Sequence, residues 1–361
     1  MPFLMNGVQH SGQKIGDIAG LLLDHYDRHA RNLPWRKLLG QGLPDPYHTW
    51  ISEIMLQQTT VAAVIPYFHK FTQRWPDFAA LAACDDVDVM AAWAGLGYYA
   101  RARNLIRCAR TIMSDFDGVM PEDEAQLRTL PGIGPYTAAA IAAIAFGKNA
   151  VVVDANIERV VSRLKSISTP LPQAKPDIYN ATSEITPNLR SGDFAQAMMD
   201  LGAGICSVKT PSCPMCPLNA HCSASIAGNP QDYPVKAPKK AKPVRTGTIY
   251  WITKDDLVWL VRRHDKGMLA GMRALPDDGW NARSDGNQTP PFAADWTLCR
   301  TPVSHVFTHF ALDIVVTVTA WRGKGDPPVE GEWWAVNSLD KAGLPTLFSK
   351  AAKVAIASGE T

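Results

Sequence analysis

Four of the chain's seven cysteines fall within seventeen residues, CSVKTPSCPMCPLNAHC at 206–222. Thiols this dense in a chain with an odd cysteine count are candidates for metal binding rather than for a disulfide framework. The spacing is Cys206-x6-Cys213-x2-Cys216-x5-Cys222. Structural zinc usually draws on two short-spaced pairs, and here only Cys213 and Cys216 form one, so a single compact loop around one cluster fits better. Four thiolates suit a 4Fe–4S cube. A zinc ion and four buried structural cysteines remain open, and His221 is either a competing ligand or a surface histidine.

Three further stretches carry groups that do chemistry. In LPGIGPYTAAAIAAIAFG (130–147) Gly132 and Gly134 precede a helix, a turn whose N–H groups and positive helix end suit a phosphate. The plain alternative is a helix–helix turn that needs glycine for its geometry. In VVVDANIERVVSRL (151–164) Asp154 follows an apolar run and precedes a helix; alone, it reads as an N-cap. In DPYHTWISEIMLQQTTV (45–61) Glu53 lies on an amphipathic helix beside Trp50 and Gln57 rather than beside other charges. Alone, it reads as a solvated glutamate.

These groups need elements to position them. Between about residues 17 and 205, apolar residues recur at three- and four-residue spacing, as in IAGLLLDHYDRH, ARNLIRCARTIM and DFAQAMMDLG, which predicts helices. Residues 1–16 read as a flexible N-terminus and AGNPQDYPVKAPKKAKPVRTG (227–247) as an exposed linker. Beyond it, TIYWITKDDLVWLVRR and FALDIVVTVTAW read as strands and GLPTLFSKAAKVAIAS as a closing helix. The chain's 361 residues suffice for two domains of ~150 residues each. With 36 basic against 34 acidic residues, global charge identifies no partner. The N-terminus has no apolar signal core, and AAAIAAIAF (138–146) is far shorter than the ~20 residues of a membrane span, so an intracellular protein is expected.

LPWR (33–36), SEIMLQQT (52–59), GLGYYARARNL (95–105), LPGIGPYTA (130–138), VDANIERVVSRL (153–164), FAQAMMDLGAGIC (194–206) and the cysteine loop occur in this order. Together they resemble the helix-hairpin-helix DNA glycosylase superfamily and, within it, the adenine DNA glycosylases of the MutY type. After the linker the chain is similar to that family's MutT-related domain, with FTH (307–309) where members commonly carry F-S-H.

The resemblance implies a mainly α helix-hairpin-helix glycosylase domain (17–226) with an iron–sulfur loop, and a smaller α/β MutT-like domain (248–361). It implies a monofunctional DNA N-glycosylase of base excision repair, removing adenine opposite 8-oxoguanine or guanine. Breaking an N-glycosidic bond needs an acid for the base and a negative charge for the sugar cation. By family position Glu53 protonates adenine and Asp154 stabilises the oxocarbenium ion, with Tyr136 and Asn156 in the same catalytic set. Trp35, Arg36 and Gln196 match pocket positions for a flipped adenine. Gln58, Thr59, Leu96 and Tyr98 match residues at the opposite base or wedged into the duplex, although core packing is the alternative for Leu96 and Tyr98. Gly132, Gly134 and Lys209 match phosphate contacts, and Arg103, Arg107 and Arg110 either add to them or form a solvated face. One 4Fe–4S cluster on Cys206, Cys213, Cys216 and Cys222 is implied. So are a duplex DNA partner with A:8-oxoguanine or A:G mispairs, a monomer, no membrane, and a place in the cytoplasm at a bacterial nucleoid.

Three features of the chain bear on function. Bifunctional relatives carry a lysine where this chain has Tyr136, and a phenol forms no Schiff base, so at most weak, incidental strand cleavage is expected. The second domain lacks the GxxxxxE…RExxEE helix of nucleotide pyrophosphohydrolases and carries GMRALPDDGW (271–280) in place of a more usual aromatic–acidic segment. No hydrolase activity is expected there. Thr308 keeps the hydroxyl of the family's serine and adds a methyl group.

Overall fold

The helical spacing is realised as α1 (Gly12–His29), α2 (Pro46–Leu56), α3 (Val61–Arg74), α4 (Phe78–Ala82), α5 (Asp86–Ala92) and α6 (Ala100–Asp115). They are followed by α7 (Glu124–Leu127), α8 (Pro135–Phe146), α9 (Ala155–Leu164), α10 (Lys175–Ile185), α11 (Ser191–Gly204) and α12 (Ser223–Ile226). The computed structural model describes residues 12–238, 241–263, 268, 269, 271–307 and 309–359. The chain divides into two units, 1–238 and 239–361.

The Ala-rich α8 runs through the core of the first unit. Thr137 to Ala145 are all buried, and a helix apolar on every side is stable only where neighbours cover it all round. Its small side chains let α2 and α11 close on it: a Cβ on Gly192 of α11 would lie 2.4 Å from the Ala143 carbonyl oxygen. Three local devices set where the site helices begin. Asp45 caps α2, accepting from the Tyr47 and His48 amides, with Pro46 in the first turn. Asp154 caps α9 by accepting the Ile157 amide at 2.7 Å. Between α7 and α8 the chain turns through Gly132 at φ +79°, where a Cβ would stand 2.8 Å from Asn104 Cβ. Gly134 is extended and open on all sides, so only the first glycine of the hairpin is required by backbone geometry.

Two boundaries differ from the sequence expectation. Helix α1 starts at Gly12, inside the stretch expected to be flexible, while residues 1–11 lie outside the described residues. The expected linker at 227–247 is folded over its first half. Pro230 is buried, the Leu171 amide donates to Val235 O at 2.9 Å and Arg163 Nε to Tyr233 O at 3.1 Å. Backbone carbonyls hold this segment to the first unit, so a count of its apolar side chains does not reveal it.

The second unit is a mixed sheet of β1 (Val244–Lys254), β2 (Leu257–Arg262), β3 (Arg273–Ala274), β4 (Thr297–Leu298), β5 (Val303–Val306), β6 (Ala311–Ala320) and β7 (Glu332–Ala335), with α13 (Thr346–Ser358) packed on it. The order is β3-β2-β1-β6-β4, with β5 also on β6 and β7 on β2. β1 and β6 pair in parallel over ten residues, from Val244 with Ala311 to Thr253 with Ala320. The β1–β2 hairpin turns at Asp255, φ +52°. Trp251, Leu260, Phe310, Leu312 and Phe348 belong to its own core. Thr308 lies outside the described residues.

Candidate active site

Glu53, Tyr136 and Asp154 come from three elements to one cavity of about 450 Å³ in the first unit. Glu53 is 7% exposed on α2, and Tyr136, in the first turn of α8, donates its hydroxyl to Glu53 Oε2 at 2.7 Å. Burial pushes the Glu53 carboxyl up to about 7; the Tyr136 bond opposes this, Asp154 adds to it and Arg36 opposes it. The Tyr136 phenol itself is pushed well above its ordinary value, first by burial and then by the two carboxylates. Asp154 is also raised by burial, against the Ile157 amide and Asn156. Both of its oxygens are held: Oδ1 caps α9 and Oδ2 accepts Asn156 Nδ2 at 2.8 Å. The capping and catalytic readings of Asp154 are therefore not exclusive.

Trp35, Arg36, Gln58, Thr59, Asn156 and Gln196 line the same cavity. Trp35 is fixed edge-on to Phe68, with ring centroids 5.2 Å apart. Gln196 donates to Gly192 O on α11 at 3.3 Å, and Gln58 sits at φ +60° just past the end of α2. Leu96 and Tyr98 do not line it. Leu96 is 6% exposed within the core, between two glycines of positive φ, as its core-packing alternative has it. Tyr98 is 58% exposed at φ +49°, with the Arg101 guanidinium 5.7 Å from its ring. Lys209 is exposed. Arg110 is committed to Asp86 and to the Ala82 and Cys84 carbonyls, which favours the solvated-face reading for that residue.

The four cysteines of the 206–222 loop form no disulfide and line one small hollow with Arg163, Ile205 and Pro211. Among the described residues, no group of three or more His, Cys, Asp or Glu is drawn together closely enough to hold a metal ion as it stands. Burial raises Cys216 to about 11, and the other three thiols push the same way. Four cysteine sulfurs around one hollow are a donor set that fits a metal cluster, whose positive charge would favour their deprotonated form. Arg163, 1% exposed, grips the loop through the Cys206 sulfur at 3.2 Å and the Ser207 and Val208 carbonyls at 2.7 and 3.0 Å. Arg159 donates to Cys206 O at 2.8 Å and to Asn156 Oδ1 at 3.0 Å. Hydrogen bonds thus run from Asp154 through Asn156 and Arg159 to the first cysteine.

Sequence reasoning missed Arg31 in the cavity wall, Asp200 behind it, and the buried arginines of α9. Arg159 and Arg163 stand four apart in ERVVSRL, which reads as a solvated stripe. The one available signal was that Asp200 follows Gln196 by one helical turn.

Residues 51–187 match the family described as HhH-GPD superfamily base excision DNA repair protein, and residues 248–354 match the NUDIX domain. The chain is 37% identical to the adenine DNA glycosylase of Buchnera aphidicola subsp. Acyrthosiphon pisum, over 71% of this chain and 73% of the relative. It is 30% identical to the human adenine DNA glycosylase, over 93% of this chain and 73% of the relative. The chain belongs to the adenine DNA glycosylase family, DNA N-glycosylases of base excision repair. A solved thermostable thymine-DNA glycosylase superposes with TM-score 0.53 at 29% identity, over 58% of this chain and 95% of that one. An endonuclease III in a DNA complex shares the fold, with TM-score 0.51 at 22% identity over 61% of this chain and 99% of that one. No helix among the described residues is long and apolar enough to cross a membrane.

Proposed function

We propose that this protein hydrolyses the N-glycosidic bond of adenine mispaired with 8-oxoguanine or guanine, Glu53 acting as acid and Asp154 as the counter-charge to the sugar cation. The observation that carries the reading is a buried carboxyl, raised to about 7, sharing a cavity with a second, rigidly held carboxylate. An acid of that value still holds its proton near neutral pH and yields it readily.

The base is flipped into the cavity between Trp35 and the Gln196 side. Because Tyr136 donates to Glu53 Oε2, Oε1 carries the acidic proton. That proton goes to adenine N7 as the bonding pair of the breaking C1′–N9 bond moves into the base. The positive charge left on the sugar faces Asp154, whose orientation is fixed from both sides, until water adds at C1′ and releases a proton. Tyr136 in place of a lysine makes the enzyme monofunctional. Cys206, Cys213, Cys216 and Cys222 would hold a 4Fe–4S cluster, which stiffens the loop that presents Lys209 to a phosphate. Gly132 and Gly134 offer the hairpin amides to another phosphate. Adenine is the same base in A:8-oxoguanine and A:G, so the lesion is read on the other strand, by Gln58, Thr59 and Tyr98 and by the second unit through Thr308.

The test is single-turnover base release from duplexes bearing A:8-oxoguanine, A:G and T:G. Release of adenine fastest opposite 8-oxoguanine supports the proposal. Thymine release from T:G faster than any adenine release would overturn it.

A further inference from the structure

Two carboxylates and two arginines line the cavity, and a third carboxylate behind its wall holds both arginines. Asp200 does not itself line the cavity. It lies on α11 one turn beyond Gln196, facing a neighbouring hollow with His25, Tyr26 and His29. Oδ1 of Asp200 accepts Arg36 Nη2 at 2.9 Å and Arg31 Nε at 2.6 Å; Oδ2 accepts Arg36 Nη1 at 2.8 Å and the Arg31 amide at 3.2 Å. Arg31 Nη2 reaches Oδ1 as well. The Arg36 and Asp200 side chains are 5% and 14% exposed, so solvent screens this pair little. A guanidinium gripped through both Nη atoms is fixed in plane and direction, with its remaining N–H groups turned from the carboxylate.

We infer that Asp200 is a positioning residue for the acid step: it fixes the Arg36 guanidinium in the cavity wall and offsets a positive charge that would otherwise favour the ionised form of Glu53. The inference rests on Glu53 being the proton donor. Around Glu53 stand Tyr136 from α8, Asp154 from the head of α9, and Arg36 and Arg31 from the segment before α2, while α11 contributes the uncharged Gln196. On α2 itself the cavity neighbours Ser52 and Gln57 are uncharged. Arg36 pulls the Glu53 carboxyl down, and the same guanidinium is bonded to Asp200. Without the pairing charge, a buried guanidinium acts through a medium of low dielectric and holds Glu53 ionised at lower pH. Asp200 stays ionised to do this: burial raises its carboxyl, but the bonds and charges of Arg36 and Arg31 outweigh burial and hold it below its ordinary value.

The test is the pH profile of single-turnover adenine release by the full chain, for the native protein, Asp200→Asn and Asp200→Glu. The native rate is expected to fall above about pH 7, where Glu53 would lose its proton. In Asp200→Asn, which keeps the shape and loses the charge, that fall comes about one pH unit earlier, so the rate drops roughly tenfold at high pH and little at low pH. Asp200→Glu keeps the fall where the native protein has it, whatever the longer arm does to the plateau. A uniform loss at every pH in Asp200→Asn, with the fall unmoved, would make Asp200 purely structural and overturn the inference. If Asp200→Asn does not fold, a shifted fall in the charge-retaining Asp200→Glu overturns it and an unshifted one supports it. A native profile with no fall near neutrality would instead remove the Glu53 reading on which the inference stands.

Discussion

Replacing Glu53 by Gln should make the first unit inactive and, above neutral pH, more stable. Burial raises the Glu53 carboxyl from 4.5 in the open chain to about 7. Between those values the folded protein keeps a proton that the unfolded chain releases. A group raised in this way contributes its full stability below the unfolded value, and the contribution is lost as pH rises through the folded one. The gap of about two and a half pH units corresponds to about 3 kcal/mol at ~1.4 kcal/mol per unit. Glutamine has nearly the same shape, cannot ionise, and still accepts the Tyr136 hydroxyl, so the variant escapes the loss. Relative to native protein, Glu53→Gln should gain almost nothing near the unfolded value and up to about 3 kcal/mol well above 7. At ~2–4 °C per kcal/mol for a domain of this size, the difference in Tm should open to roughly 6–12 °C. Thermal unfolding followed by circular dichroism in buffers from acid to mildly alkaline pH measures it. A difference in Tm that stays constant across that range would refute the reasoning, because Glu53 would then titrate alike in the folded and unfolded chain.

Four further outcomes are expected. Gly132→Ala should destabilise the first unit by about 1–3 kcal/mol, since φ is +79° and the new Cβ meets Asn104, whereas Gly134→Ala should leave stability nearly unchanged and weaken duplex binding; chemical unfolding and binding titrations on both variants separate the two roles. Tyr136→Lys should form a borohydride-trappable adduct with the substrate strand, seen as a shifted band on a denaturing gel; no adduct would mean the amine does not reach the sugar. Freshly purified protein should contain close to four iron atoms and four acid-labile sulfides per chain, and stoichiometric zinc instead would contradict the cluster. Removing residues 239–361 should lower the ratio of adenine release from A:8-oxoguanine over A:G, measured at single turnover; an unchanged ratio would place all lesion reading in the first unit.

The part of the site legible in the sequence is the part written as local motifs. SEIMLQQT sets Glu53 on a helix and VDANIERVV sets Asp154 at the head of one, and the structure brings both to the cavity that Tyr136 also lines. What stayed hidden depends on partners distant in sequence. Asp200 meets Arg36 across 164 positions and Arg163 meets the Cys206 sulfur across 43, and neither charge pattern signals burial by itself. Residues 227–238 looked like linker because their attachment is through backbone carbonyls, which no side-chain pattern records. The hairpin glycines looked equivalent, yet only Gly132 adopts a left-handed backbone.

The proposed division of labour gives the chemistry to Glu53 and Asp154 and duplex binding to other parts of the first unit. It is tested most directly by measuring single-turnover adenine release and duplex affinity on the same preparations of native protein, Glu53→Gln and Asp154→Asn. The predicted result is a fall in release of roughly 10²–10⁴-fold for each variant, with affinity for an A:8-oxoguanine duplex close to native. A near-native release rate in either variant, or a loss of release fully matched by a loss of binding, would contradict it.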